Sequence, residues 1–305
     1  MKKNILITGS QGFLARHTAI KLKKYFNVYG IGRGKWKKKE HFNWGYIENI
    51  NDNISMSSLS GYKNKFEYII HCAGKVIGLE PEEDFKRNVL TTQSLLEYVS
   101  SSNFKSKIIF LSTLAVYGNI KKKLKKNQKI DPISNYALNK ILAECLCKFY
   151  SKKYGISILS LRTGSLFGPG LERQFIFDAC KKINENNRIF FGTGNEIRDW
   201  LYIDDMTNLL AKIINKGFKN YTIMNVGSGK GVKIKKIITH INKRLNKNIK
   251  PIFNGIGKNA NPKILVSDNT LVKKFNWKPK SDFFETLDIY IDWFKRKYAK
   301  TSIFN

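Results

Sequence analysis

Asn4-Ile5-Leu6-Ile7-Thr8 runs directly into Gly9-Ser10-Gln11-Gly12-Phe13-Leu14-Ala15. The first five residues form a short apolar run that reads as a buried strand, and the apolar spacing from Leu14 to Tyr25 predicts a helix. Strand, glycine turn and helix in immediate succession are the setting in which a glycine motif has physical meaning. Gly9 permits the tight turn, Gly12 lets backbone approach a pyrophosphate, and Ala15 is small enough for helix to pack on strand. The helix N-terminus then presents free N–H groups and the positive end of its dipole to the phosphates. Gly9, Gln11, Gly12, Phe13 and Leu14 are therefore candidate cofactor contacts. A plain strand–turn–helix connection is the competing reading of this stretch taken alone.

Further strands follow at Val28–Ile31, Phe66–Ile70, Lys107–Leu111 and Ile156–Leu161, with helical patterns between them, including one over residues 82–100 that contains Asn88. Residues 36–64 read as loop-rich. The alternation predicts an α/β chain with a Rossmann-type doubly wound parallel sheet. Ligands of such a sheet sit beyond the carboxyl ends of its strands, where Thr8-Gly9, Ala73, Thr113 and Arg162 all fall. After Gly168-Pro169-Gly170 the pattern becomes less regular. The expected organisation is a cofactor-binding Rossmann domain over residues 1–165 and a smaller α/β substrate-binding lobe over 166–305, with some later segments returning to the first domain. No internal repeat is visible.

The end of the second strand bears on which cofactor is used. Gly32-Arg33-Gly34-Lys35 carries no acid for a ribose 2′-hydroxyl, whereas Arg33 could grip a 2′-phosphate with two parallel hydrogen bonds. NADP(H) is the expectation and NAD(H) the alternative; the bland reading makes Arg33 a solvated arginine of a basic protein.

The chemistry rests on Asn135-Tyr136-Ala137-Leu138-Asn139-Lys140. Tyr136 and Lys140 are four apart, which on a helix puts them on one face. An ammonium beside a phenol favours the phenolate, so the tyrosine pKa is expected to fall from about 10 towards working pH. A tyrosine tuned in this way exchanges a proton with an alcohol/carbonyl pair, and a dinucleotide carries the accompanying hydride. Alone, the spacing fits a solvated helix face equally well.

Composition sets the outer limits. The chain has 305 residues, 42% of them apolar, enough for one large α/β domain with a lobe. No apolar run approaches the roughly 18 residues of a membrane span, and Ile5-Leu6-Ile7 is too short for a signal-peptide core. The four cysteines (Cys72, Cys145, Cys147, Cys180) lack ligand-like spacing, so neither a disulfide framework nor a metal site is expected, and reduced thiols suit a cytoplasmic protein. The net charge of +32 raises a nucleic-acid reading. It is set aside because the cations are mostly lysines spread along the whole chain, with arginine scarce. The run Lys121–Lys129 reads as a solvated basic loop.

Taken together these residues resemble the extended short-chain dehydrogenase/reductase family, in its nucleotide-sugar epimerase/dehydratase branch. The markers are Thr8-Gly9-x-x-Gly12-x-x-Ala15, His71-Cys72-Ala73, Asn88, Ser112-Thr113 with Val116-Tyr117-Gly118, Tyr136-x-x-x-Lys140, Leu161-Arg162, Gly168-Pro169, Arg198-Asp199, Asp204-Asp205, Asn225-Val226-Gly227-Ser228-Gly229 and Trp277-Lys278-Pro279. The resemblance implies Tyr136 as catalytic acid/base, Lys140 as its partner on the nicotinamide ribose, and Thr113 as hydrogen-bond donor to the reacting sugar oxygen. It implies Ala73 and Asn88 as further cofactor contacts. It implies Arg198 on the substrate diphosphate, with Arg173 a further candidate there, and Ser165 where many relatives place an asparagine against the sugar nucleotide. The acidic pair that 4,6-dehydratases of the branch carry after the Ser/Thr is replaced by Leu114 and Ala115, which cannot transfer protons. What remains is a 4-ketoreductase using NADPH on a 4-keto-6-deoxy sugar nucleotide for surface polysaccharide, favoured by Arg33. The alternative is an NAD-dependent nucleotide-sugar 4-epimerase, and a remote third is an inactive cofactor-binding sensor or scaffold. The resemblance also implies a homodimer.

Overall fold

A computed structural model of the chain describes residues 2–34, 36, 40–74, 80–120, 124–125, 127–256 and 262–299. Part of the basic run 121–129 (121–123 and 126) therefore lies outside the described residues. The chain opens with β1 (Asn4–Thr8), α1 (Phe13–Leu22), β2 (Asn27–Ile31), α2 (Glu40–Asn43), β3 (Glu48–Ile50), α3 (Met56–Leu59) and β4 (Tyr68–His71). There follow α4 (Pro81–Phe85), a π-helical turn (Lys86–Leu90), α5 (Thr91–Ser101), β5 (Lys107–Thr113), α6 (Asn135–Tyr154), β6 (Ile158–Thr163) and β7 (Ser165–Phe167). The remainder comprises α7 (Gln174–Asn184), β8 (Ile189–Phe190), β9 (Ile197–Tyr202), α8 (Ile203–Lys216), β10 (Tyr221–Val226), β11 (Gly231–Lys233), α9 (Ile234–Arg244), β12 (Ile252–Phe253), β13 (Ile264–Leu265) and α10 (Phe283–Ala299).

Seven strands form one sheet in the order β10-β6-β5-β4-β1-β2-β3, and every pairing in it is parallel. This is the doubly wound arrangement: β1 to β3 run outward on one side, β4 to β6 on the other, and the order reverses between β1 and β4. Parallel strands covered on both faces must be apolar throughout, and β1 shows this, with Ile5, Leu6 and Ile7 wholly buried. One core lies between the sheet and α1 and α8, with Leu22, Ile70, Leu209 and Ile213 at its centre. The opposite face packs Leu95, Leu96 and Val99 of α5 and Ala143 and Cys147 of α6.

The sequence placed residues 36–64 in loops, yet Glu48–Ile50 completes the sheet as its outer strand. Only three residues long and none of them buried, this edge strand lacks the apolar run that marked the others. The helix read over 82–100 is interrupted by the π turn at Lys86–Leu90, whose extra residue per turn re-aims Asn88 inward, where it is buried.

A second, four-stranded sheet pairs β11 with β9 (antiparallel) and β9 with β13 and β7 (parallel). It packs with α7, α9 and α10 around Ile176, Trp200, Ile237, Ile241 and Tyr290. Phe13 of α1 belongs to this core, and His17 Nε2 lies 3.0 Å from the Pro169 carbonyl, so the start of α1 is clamped between the two layers. From the later chain, β10 pairs with β6 in the main sheet and Trp277 packs in the core beneath it, its indole N–H donating to the Asp205 carbonyl at 3.0 Å.

Candidate active site

The crevice opens where the strand order reverses. Gly9 leaves β1 at φ +65°, a conformation costly for side chains, and a Cβ there would lie 2.9 Å from the Ala73 Cα at the end of β4. Gly12 N–H donates to the Gly9 carbonyl at 2.8 Å and closes the turn. Gly12 is the N-cap of α1 and brings no capping side chain, so the N–H groups of the first turn face the crevice. The cleft has a volume of about 590 Å³, and Gly9, Gln11, Gly12, Phe13, Leu14, Arg33, Ala73 and Arg173 line it. Glycines where a Cβ would collide, an open helix N-terminus and an elongated cleft fit a dinucleotide.

At the adenosine-side loops the structure qualifies the sequence reading. Arg33 is exposed and lines the cleft, as the NADP(H) expectation requires. The acid sought after β2 is absent, but Asp52, beyond β3, and Glu83, on α4, line the same cleft. The Arg87 guanidinium, which hydrogen-bonds Glu83, holds that carboxyl below its ordinary range, with a smaller contribution from Arg33. Arg33 therefore stands among mixed charges.

Gly74 marks the other end of the cleft. A Cβ on it would lie 2.6 Å from Asn88 Oδ1 and 3.3 Å from Lys140 Nζ, so the two side chains meet over one glycine. Lys140 is buried, with its ammonium 4.9 Å from the Phe110 ring centroid. Ser134 caps α6, its hydroxyl accepting from Ala137 N–H at 3.2 Å, and this sets the helix phase that carries Tyr136 and Lys140.

The expected effect of Lys140 on Tyr136 is not found. The ammonium lies 5.9 Å from the centroid of the Tyr136 ring. Burial, then the Asp84 carboxylate, push the phenol well above its ordinary range, while Arg173 pulls the other way. Lys140 is itself drawn down to about 8 by burial, against the opposing pull of Cys72, Cys147, Glu144 and Asp84. Desolvation of a phenolate outweighs an ammonium that points elsewhere.

Thr113 ends β5, and its hydroxyl oxygen accepts from Ala115 N–H at 3.2 Å, an arrangement that aims it at the strand terminus. Leu114, wholly buried, and Ala115 follow in a 3₁₀ turn. Arg173 is exposed at the N-cap of α7. Ser165 on β7 and Arg198 on β9 lie in the second sheet, outside the lining of the cleft. Arg198 is half-buried, its guanidinium donating to the Ile197 and Lys263 carbonyls at 3.0 and 3.4 Å.

Sequence reasoning missed a buried chain behind this site. Thr92 Oγ1 donates to the Asn88 carbonyl at 2.7 Å, so it accepts from His71 Nε2 at 3.0 Å. The other ring nitrogen, Nδ1, then accepts from Thr8 Oγ1 at 2.7 Å, and Thr8 Oγ1 accepts from Ala73 N–H at 3.1 Å. Every bond has its donor when His71 is neutral with its proton on Nε2. Burial enforces this, drawing its pKa down to about 3, with Lys140 adding to the effect. The chain joins the residue before Gly9 to Asn88. The motif His71-Cys72-Ala73 was the only signal of it in the sequence.

The model of the NAD dependent epimerase/dehydratase family matches residues 5–227. A UDP-glucuronate 4-epimerase of Thermodesulfobacterium geofontis is 29% identical, with 95% of each chain covered. A CDP-abequose synthase of Salmonella typhimurium is 25% identical over 93% of this chain and 95% of that protein. Among solved structures, a UDP-glucuronic acid 4-epimerase from Bacillus cereus, in complex with UDP-glucuronic acid and NAD, superposes with a TM-score of 0.85 at 25% identity, covering 97% of this chain and all of that one. The chain belongs to the NAD dependent epimerase/dehydratase family.

Proposed function

We propose that this family member is an NAD-dependent nucleotide-sugar 4-epimerase acting on a UDP-sugar, and that it retains its cofactor through the reaction cycle. The observation that carries the reading is the meeting of Lys140 and Asn88 over Gly74, at the end of a glycine-lined cleft and on the helix that bears Tyr136. The 4-epimerases among its relatives support it over the reductase expected from the sequence. When bound in the cleft, NAD would supply the reversible hydride acceptor that a change of configuration at C4 of the sugar requires. Tyr136 exchanges the C4 hydroxyl proton: its phenolate takes the proton as hydride leaves and the resulting phenol gives it back on return, so the phenol must ionise before the first step. Thr113 donates a hydrogen bond to the C4 oxygen, and Lys140 orients the ribose beside it. Gly9, Gln11, Gly12, Phe13, Leu14, Ala73 and Asn88 hold the cofactor; Arg173, Arg198 and Ser165 hold the nucleotide diphosphate side of the substrate. Leu114 and Ala115 offer no acid or base for removing a C5 proton, which argues against a 4,6-dehydratase.

One observation favours a second reading, an NADPH-dependent 4-ketoreductase: Arg33 lines the cleft and could take a 2′-phosphate. The two are separated by denaturing the purified protein and identifying the released nucleotide. Near-stoichiometric NAD, with interconversion of a UDP-sugar and its C4 epimer without added cofactor, is the expected result. Released NADP, or none together with NADPH oxidation by a 4-keto sugar nucleotide, replaces it with the reductase. The exposed apolar row Leu138, Leu142 and Phe149 on one face of α6 supports a homodimer built on that helix.

A further inference from the structure

The chain crosses from the main sheet to the second sheet at Gly164, between β6 and β7, and at Gly227, between β10 and β11. Both crossings lie against Asp199 of β9. A Cβ on Gly164 would lie 3.0 Å from the Asp199 carbonyl oxygen, and one on Gly227 would lie 2.3 Å from Asp199 Oδ2. Asp199 is 1% exposed, and a buried carboxylate is costly unless donors hold it. Its Oδ1 accepts from the Ser228 N–H at 2.5 Å and the Ser228 hydroxyl at 2.7 Å. Its Oδ2 accepts from the Gly229 N–H at 3.0 Å, and from the N–H and hydroxyl of Ser267, beyond β13, at 3.0 and 2.7 Å. Each of these donors is neutral, and a hydrogen bond to an ionised oxygen is about twice as strong as one between neutral groups. One carboxylate therefore fastens the segment leaving the main sheet onto the second sheet.

We propose that Asp199 is a positioning residue of this site: it fixes the sheet that carries Ser165 and Arg198 against the sheet that carries Thr113. Thr113 pairs with Thr163 in the main sheet, Gly164 follows, and Ser165 pairs with Trp200 in the second sheet. The path from the residue assigned to the reacting sugar oxygen to those assigned to the diphosphate is therefore short, and it passes the Asp199 joint. Ser165 and Arg198 belong to one sheet through the pairing of β7 with β9, so they keep their mutual spacing when the joint loosens. Their distance from Thr113 has no such protection. An error of about 1 Å in placing a reacting group costs up to about 10²-fold in rate. The diphosphate would still be gripped, but the sugar would meet the cofactor out of line.

The inference rests on the proposed function, and its test separates the two. In Asp199→Asn, kcat with the UDP-sugar should fall about 10- to 100-fold, while the inhibition constant of UDP and the retained NAD stay within about twofold. A residue that only supports the fold would weaken UDP and NAD binding in parallel. Ser228→Ala removes one donor and leaves the backbone N–H groups, and it serves if Asp199→Asn does not fold. It should lower kcat several-fold, and Ser228→Thr, which keeps the hydroxyl, should restore it. The spacing of the sheets is read without turnover by pulsed EPR, between spin-labelled non-natural residues at exposed Lys152 on α6 and exposed Lys236 on α9. The distance distribution should broaden when the joint is weakened. An unchanged kcat, a parallel loss of UDP affinity or an unchanged distance distribution in a folded variant overturns the proposal. Failure of the epimerase reading would show separately, as absence of UDP-sugar interconversion by the unsubstituted enzyme, and the distance measurement then decides the role of Asp199.

Discussion

Glu144 and Arg162 meet as a buried ion pair, whereas Thr8, His71, Thr92 and Asn88 pass hydrogen bonds along a chain without charge. In the first, Arg162 donates to both Glu144 oxygens at 2.9 and 2.6 Å and to the Tyr117 hydroxyl at 2.9 Å. The Tyr117 hydroxyl donates to Asn225 Oδ1 at 2.8 Å, and Ser112 donates to Glu144 at 2.5 Å. Four elements, β5, β6, β10 and α6, are tied at one point. In the second, each group has one direction of donation, set by a neutral imidazole, and the chain leads to the candidate active site. The difference lies in what each tolerates. An ion pair whose side chains are 1% and 5% exposed withstands no loss of one partner, because the remaining charge is stranded. A neutral chain loses one hydrogen bond at a time, yet it holds protons in defined places, which suits a site built for proton transfer.

The contrast can be broken most forcefully at Glu144. Glu144→Ala should lower unfolding stability by about 3–5 kcal/mol in urea titrations, while Glu144→Leu combined with Arg162→Met should regain most of it. Full loss in the double variant would mean that the cluster acts through more than its charges. Next comes Tyr136→Phe. Turnover should drop by roughly 10²–10⁴-fold, with NAD still bound and urea stability within about 0.5 kcal/mol of the parent. A large stability loss would place the phenol in the scaffold instead.

The smallest effect is expected at His71. His71→Leu removes two neutral hydrogen bonds and should cost about 1–3 kcal/mol. The sign of its pH dependence also follows. The folded-state pKa is depressed to about 3 against an ordinary value of 6.5, so the unfolded chain binds the proton first as pH falls. Stability is therefore full above pH 6.5 and declines down to about pH 3. Between pH 6.5 and 5.5 the parent should lose about 1 kcal/mol more than His71→Leu, read from urea midpoints at the two values. Parallel pH curves would show that the imidazole takes up its proton in the fold as readily as in the unfolded chain.

Much of this molecule was legible because its signals are local. The turn Gly9–Gly12, the buried run of β1 and the Tyr136–Lys140 spacing each depend on residues a few positions apart, where chain geometry alone decides what meets. The edge strand Glu48–Ile50 was not legible, since pairing with β2 supplies what its sequence lacks. Nor was the His71 chain, whose bond to Thr8 joins residues 63 apart.

The sequence by itself determined the doubly wound sheet, the family and the glycine turn that opens the cleft, because periodicity and glycine turns act within single elements. Only the tertiary structure decided the electrostatic setting of those residues. Tyr136 and Lys140 share a helix face, and from that alone the ammonium should favour the phenolate. Folding buries Lys140 and half-buries Tyr136, turns Lys140 over Phe110 and packs α4, which carries Asp84, against α6. The sign of the effect on the tyrosine then reverses, because desolvation and the charges that approach through space are properties of packing and are not written in the spacing of two residues.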